Sequence, residues 1–167
     1  MNSQIRCASI CALISGLMGC VQPHQQVEAG ADQSTAIARL GPPKETYKLP
    51  DGDQRLMWPT QPMGTTTIVA DIDASGKVVS MRQVLQESEF YRAEVGKWTR
   101  DDVLINFGRP FETARFQRMQ RDVWSYRYLE NNINHMIFHF YFDDAGILRQ
   151  TQKAPDPMYD NTRRGRF

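Results

Sequence analysis

Cysteine is scarce in this chain. Its 167 residues include three, Cys7, Cys11 and Cys20, and the 147 residues that follow have none. A disulfide scaffold, a structural zinc site and a catalytic thiol in the body of the protein are therefore excluded. Charge of one sign is scarce too, with 20 Lys+Arg against 19 Asp+Glu and a formal net charge of +1. That balance argues against nucleic-acid binding through bulk charge, and no nucleic-acid partner is expected. The apolar run from about Cys7 to Met18 falls short of the roughly 20 residues that span a bilayer. No Gly-x-Ser-x-Gly nucleophile turn and no phosphate-binding Gly-rich loop occur. With 41% hydrophobic and 23% charged residues, the chain is neither a disordered acidic tail nor a polytopic membrane protein. Its length allows one ordinary domain or two very small ones.

The N-terminal sequence reads as an address. One positive side chain, Arg6, precedes an apolar run with the length of a signal-peptide core. The run ends in Leu17-Met18-Gly19-Cys20, which resembles the lipobox of bacterial lipoprotein signal peptides. The resemblance implies cleavage before Cys20, lipidation of its thiol and acylation of the new amino group. Two or three acyl chains hold a protein on a membrane stably where one does not. Val21, rather than Asp, follows the cysteine. By the same resemblance, the destination is the periplasmic side of the outer membrane. Residues 1–19 are then a signal peptide, and 20–31 a lipidated cysteine with a polar tether. Residues 154–167, with Pro155, Pro157, Arg163, Arg164 and Arg166, read as an unstructured basic tail.

Between tether and tail lies an internal repeat, residues 32–86 and 87–153. Sliding by 67 places Asp32 on Thr99, Leu40 on Phe107, Gly41 on Gly108, Pro43 on Pro110 and Glu45 on Glu112. Asp32 and Thr99 are good helix N-caps, and each Gly followed by Pro marks a helix end. Arg55-Leu56-Met57-Trp58 then stands opposite Asp122-Val123-Trp124-Ser125-Tyr126. Ile68, Ala70 and Ile72, like Phe138, Phe140 and Phe142, alternate with other residues at the period of a half-buried strand. Each strand meets a turn of one form, Asp73-Ala74-Ser75-Gly76 or Asp143-Asp144-Ala145-Gly146. The expected fold is α+β, with two tandem units of one helix and three antiparallel strands. The bridge, about Gln86–Gly96, carries Phe90, Tyr91 and Val95 and reads as an ordered linker packed on the second unit.

The second copy runs from Gly96-Lys97-Trp98-Thr99 through Phe107-Gly108-Arg109-Pro110 and Trp124-Ser125-Tyr126 to Phe142-Asp143-Asp144-Ala145-Gly146. It resembles the BamE (SmpA/OmlA) family of outer-membrane lipoproteins over about Gly96–Gln152. The first copy is degenerate, and its Trp58 is followed by Pro59, which lacks the N–H of a central strand residue. The family's typical member has one unit. A tandem pair resembles the architecture of the secreted β-lactamase inhibitor protein. The resemblance implies a non-catalytic protein-binding accessory in envelope assembly or integrity, with other envelope proteins as partners, among them the β-barrel assembly machinery. The alternative is an inhibitor or ligand-binding module that uses the concave face of a tandem sheet.

Few residues suggest chemistry. His135 and His139 fall four apart on an alternating strand, roughly 13 Å from each other, so no metal site and no cofactor are expected. Asp71 and Asp73, roughly 7 Å apart on one strand face, read as solvated strand residues. The candidate partner-binding residues are Arg115, Arg118 and Arg121, in a stretch suited to lipid headgroups or an acidic partner, and Trp124, Tyr126 and Tyr128. For the arginines the plainer reading is a soluble loop with dispersed charge. For the aromatic row it is sheet packing, which leaves a binding role only where that face is exposed.

Overall fold

The computed structural model describes residues 27–159. Within them the elements run α1 (Gln33–Leu40), β1 (Glu45–Lys48), β2 (Gln54–Pro59), β3 (Thr67–Ile72), β4 (Val78–Gln83), α2 (Glu87–Phe90), α3 (Arg100–Phe107), β5 (Glu112–Phe116), β6 (Arg121–Glu130), β7 (Asn134–Phe142) and β8 (Leu148–Pro155). Two antiparallel sheets form, β1-β2-β3-β4 (sheet 1) and β5-β6-β7-β8 (sheet 2). Each unit thus has four strands, one more than the sequence pattern predicts. The extra strands, β1 and β5, are short edge strands just after the helix. The tail boundary also moves: β8 runs to Pro155, and Asp156 beyond it is 2% exposed.

The repeat is present in the backbone. α1 and α3 are each eight residues and differ by 67 in number. Both end at a glycine in the left-handed region, Gly41 (φ 79°) and Gly108 (φ 77°), which only glycine adopts without strain. The cap N–H of each returns to the fourth residue before it, Ile37 and Leu104 respectively. In both turns the Asp amide donates to the carbonyl four residues ahead, of Lys77 and of Ile147, and a register shift lies just before each turn, at Asp71/Ile72 and at Tyr141/Phe142.

Packing departs from a simple pair. Leu56, Trp58, Ala70, Ile72 and Val78 on one face of sheet 1 form a core with Ala36 of α1. Met57 and Val69 on the other face join a second core. That core also holds Val103 and Phe107 of α3, Phe90 of α2, and Tyr126, Tyr128, Phe138, Phe140 and Phe142 of sheet 2. α3 therefore serves both sheets. Phe90 of the bridge sits at the centre, stacked on Phe138 with ring centroids 4.5 Å apart and tilted against Phe107 at 5.1 Å. Among the described residues, no helix is long and apolar enough to cross a membrane.

Candidate functional site

The fold separates the predicted partner-binding residues. Tyr126 and Tyr128 are fully buried in the shared core and offer nothing to a partner. Tyr126 Oη donates to the Gly108 carbonyl at 2.7 Å, and burial first, then Glu45 and Tyr47, holds its pKa well above the phenol value. Tyr128 is pushed up to about 12, by burial first and then by the charges of Glu87 and Glu130. Trp124 is half-buried on the same face, packed edge-on against Phe142 at 5.1 Å. Arg115 pairs with Asp144 at 2.7 Å and Asp122 at 3.2 Å. Trp124 and Arg115 share a shallow depression of about 240 Å³ with Thr113, Ala114 and Asp122. Arg118 is exposed in the turn between β5 and β6, and Arg121 donates to the Gln120 carbonyl. Arg121 pairs with Phe116 in the ladder, one row along from the Arg115–Asp122 pair, so the two arginines lie on opposite faces of sheet 2. Cys20 lies outside the described residues.

The strand alternation behind that burial also defines an outer face of sheet 2. Ladder partners Glu112, Ser125, His139 and Gln152 form one row across all four strands. Val123, Leu129, Ile137 and Tyr141 lie on the same face by period two. Val123 and Ile137 are buried, at 3% and 7% exposure, yet belong to neither hydrophobic core. Ser125 Oγ and His139 Nδ1 are 2.9 Å apart. Burial lowers the His139 pKa, opposed by the charge of Glu112, so the imidazole favours its neutral form. This Ser-His-Glu row lacks what a nucleophile needs. Ser125 is 5% exposed, and the strand N–H groups that would hold an oxyanion belong to ladders on both sides.

The C-terminal end of β8 turns onto this face. Asp156 pairs with Arg127 at 2.7 Å, Arg127 lies over the Phe111 ring at 4.1 Å, and Tyr159 stacks on His135 at 3.7 Å. Arg127 also donates to the Pro62 carbonyl, while Gln61 Nε2 donates to the Arg127 carbonyl. The loop between β2 and β3 thereby docks on the free edge of β6 beyond the end of β5.

Asp71 departs from its expected role. It is not solvated: its carboxylate accepts from Arg55 at 2.6 and 2.9 Å, from Ser80 at 3.0 Å and from Arg82 at 3.0 Å. Burial pushes its pKa up, but the hydrogen bonds and charges of Arg55 and Arg82 outweigh that and hold it below the usual carboxylate value. Arg55 also donates to the Ile105 carbonyl at 3.1 Å and to Asn106, so the cluster ties sheet 1 to α3. Asp73 caps its turn, accepting from the Ser75 and Lys77 amides. No strand pattern marks these roles in the sequence; the signal would have been the unbroken run of buried residues in β2, which requires a second covered face.

Among the described residues, no group of three or more His, Cys, Asp or Glu stands where a metal ion would bind. No family model, curated protein or solved structure matches the chain.

Proposed function

We propose that this protein is a non-catalytic, BamE-like lipoprotein, held at the periplasmic side of the outer membrane through Cys20, which binds another envelope protein. The observation that carries the reading is the outer face of sheet 2. Both faces of sheet 1 and the inner face of sheet 2 are spent on the two cores. The outer face offers Phe116, Leu129, His139 and Tyr141 in a polar surround, a composition suited to a protein partner. The address rests on Leu17-Met18-Gly19-Cys20. Because the two sheets are separate, the alternative inhibitor module would use this same four-stranded face rather than a continuous tandem sheet.

Photo-crosslinking in growing cells tests the reading. A crosslinker at Tyr141 is expected to trap a component of the β-barrel assembly machinery, and one at Val79 on sheet 1 to trap none. Absence of such an adduct at Tyr141 overturns the partner. Cys20→Ser is expected to abolish palmitate labelling, and retained label overturns the anchor.

A further inference from the structure

The edges of the two sheets differ. β1 and β5 present only 4 and 5 residues. At the end of β4 the Gln83 carbonyl already accepts from Gln86 Nε2 at 3.0 Å. β8 has 8 residues and pairs with β7 alone. Its start is closed, because Leu148 N donates to the Trp98 carbonyl and Gly96 N to the Leu148 carbonyl, each at 2.8 Å. Beyond Leu148 the edge is open. Asp156 N donates to the His135 carbonyl at 3.0 Å. By antiparallel alternation Ala154, Gln152 and Gln150 also turn their backbone groups to β7, while Thr151 and Lys153 turn theirs outward. Among the described residues, no backbone group pairs with them there.

Charged side chains, lysine above all, ordinarily keep such an edge from pairing. Here they are neutralised within the chain: Arg149 pairs with Asp143 at 2.6 Å, and Lys153 with Glu87 and Glu130 at 2.7 Å each. The two rims of the edge differ in chemistry. On the inner side Tyr91, 60% exposed, stands edge-on to Phe138 at 5.8 Å, and Phe138 is the ladder partner of Lys153. Val95, 54% exposed, precedes the glycine that bonds Leu148. On the outer side Gln150 and Gln152 are exposed. Tyr141 Oη donates to Gln152 Oε1 at 2.9 Å, so this rim continues the outer face of sheet 2.

We propose that β8 takes up an extended segment of the partner protein as an added strand of sheet 2, a segment in which apolar and polar residues alternate. The inference rests on the partner reading above and adds the mode of binding. Main-chain bonds to Thr151 and Lys153 hold the strand, and its alternate side chains select it. Apolar ones fall on the side of Tyr91 and Val95, and amide- or hydroxyl-bearing ones beside Gln150 and Gln152. The stretch opposite Gln150–Pro155 spans roughly 20 Å. A second copy of β8 does not fit: Leu148-Arg149-Gln150-Thr151-Gln152-Lys153 lacks the apolar alternation and would add positive charge to a positive strand.

A photo-crosslinker at Gln152 in the full chain, in growing cells, tests this. It is expected to trap a partner at a segment of alternating apolar and polar residues. Thr151→Pro is expected to lower that adduct at least tenfold at an unchanged urea midpoint, since its N–H faces away from β7 and proline is tolerated there. Thr151→Val, which keeps the N–H, is expected to retain the adduct. No adduct at Gln152, an adduct with a second copy of this chain, or one that survives Thr151→Pro overturns the added strand. A Tyr141 adduct that persists in those cases leaves the partner face standing. A proline-sensitive adduct to an alternating segment of a protein outside the β-barrel assembly machinery supports the added strand and overturns the partner named above. Amide exchange of the purified full chain tests the edge without any substitution. The Thr151 and Lys153 amides are expected to exchange at least tenfold faster than those of Gln150 and Gln152, and equal protection means that the edge is not free and the proposal fails.

Discussion

Trp58 and Tyr126 do one job with different atoms. Trp58 Nε1 donates to the Gly41 carbonyl at 2.8 Å, as Tyr126 Oη does to that of Gly108 at 2.7 Å, and so each ties a strand to the end of its helix. Both carbonyls stand at helix ends, where backbone acceptors need partners from outside the helix. The ladder identifies the counterparts, since Trp58 pairs with Ile68 and Tyr126 with Phe138. Tryptophan in both copies draws the eye to Trp124, but Trp124 packs on Phe142 instead. Tyr126→Phe leaves a buried carbonyl unpaired and is expected to cost about 1–2 kcal/mol, read as a lower urea midpoint at unchanged slope. Asp71 carries a larger share. Asp71→Asn leaves the Arg55 guanidinium, 8% exposed, without its anion and is expected to cost about 3 kcal/mol at pH 7. The sign with pH follows from a folded pKa held below the unfolded one. The stabilisation is complete above the unfolded value, about 4, and drains as pH falls through the folded value. The gap between wild type and Asp71→Asn is thus expected to narrow from pH 6 to pH 3 in urea titrations; a constant gap would mean the carboxylate charge is not what stabilises.

At the scale of elements, the two helices are capped unequally. Thr99 and Asp102 form a reciprocal capping box, with Thr99 N donating to the Asp102 carboxylate at 2.7 Å and Asp102 N to Thr99 Oγ1 at 3.2 Å. Asp32 makes no side-chain cap bond to α1, and its carboxylate pairs with exposed Lys77. Thr99→Ala is therefore expected to lower the thermal midpoint by the equivalent of about 1 kcal/mol, and Asp32→Ala by a few tenths at most. Similar losses would show that the boxed geometry adds nothing. Helix positions were legible because cap, apolar spacing, Gly and Pro agree in both copies. β3 and β7 were legible from alternation. β1 and β5 were not: Glu45-Thr46-Tyr47-Lys48 and Glu112-Thr113-Ala114-Arg115-Phe116 are short edge strands with little buried surface. Their pairing is supplied by β2 and β6, so local pattern has little to reveal. The candidate site suffered the reverse error. The Trp124–Tyr126–Tyr128 row was legible as one face, but which face of a strand meets solvent is decided by what packs on it.

On the scale of the whole molecule, α3 sets the cooperativity. A unit under about 70 residues buries too little to be robust alone. Here the second unit's helix also covers sheet 1, with the Gly108 Cα close enough that an added Cβ would meet Met57 Sδ at 3.3 Å. Phe107, 1% exposed, touches the aromatic centre through Phe90 and Phe140 and shares its core with Met57 and Val69. Phe107→Ala opens a cavity in a core that both sheets use, at a cost of about 3–4 kcal/mol. If the molecule is one cooperative body, that loss reaches sheet 1 undiminished. Native-state amide exchange separates the possibilities, because it reports the opening free energy of each strand. Phe107→Ala is expected to lower protection equally at Val69–Ile72 in β3 and at Phe138–Phe142 in β7. Loss confined to β7 would mean that sheet 1 and α1 stand without α3, and that the two copies are separate folds in contact. Equal loss would mean that a helix repeated from the first copy holds the second copy to it.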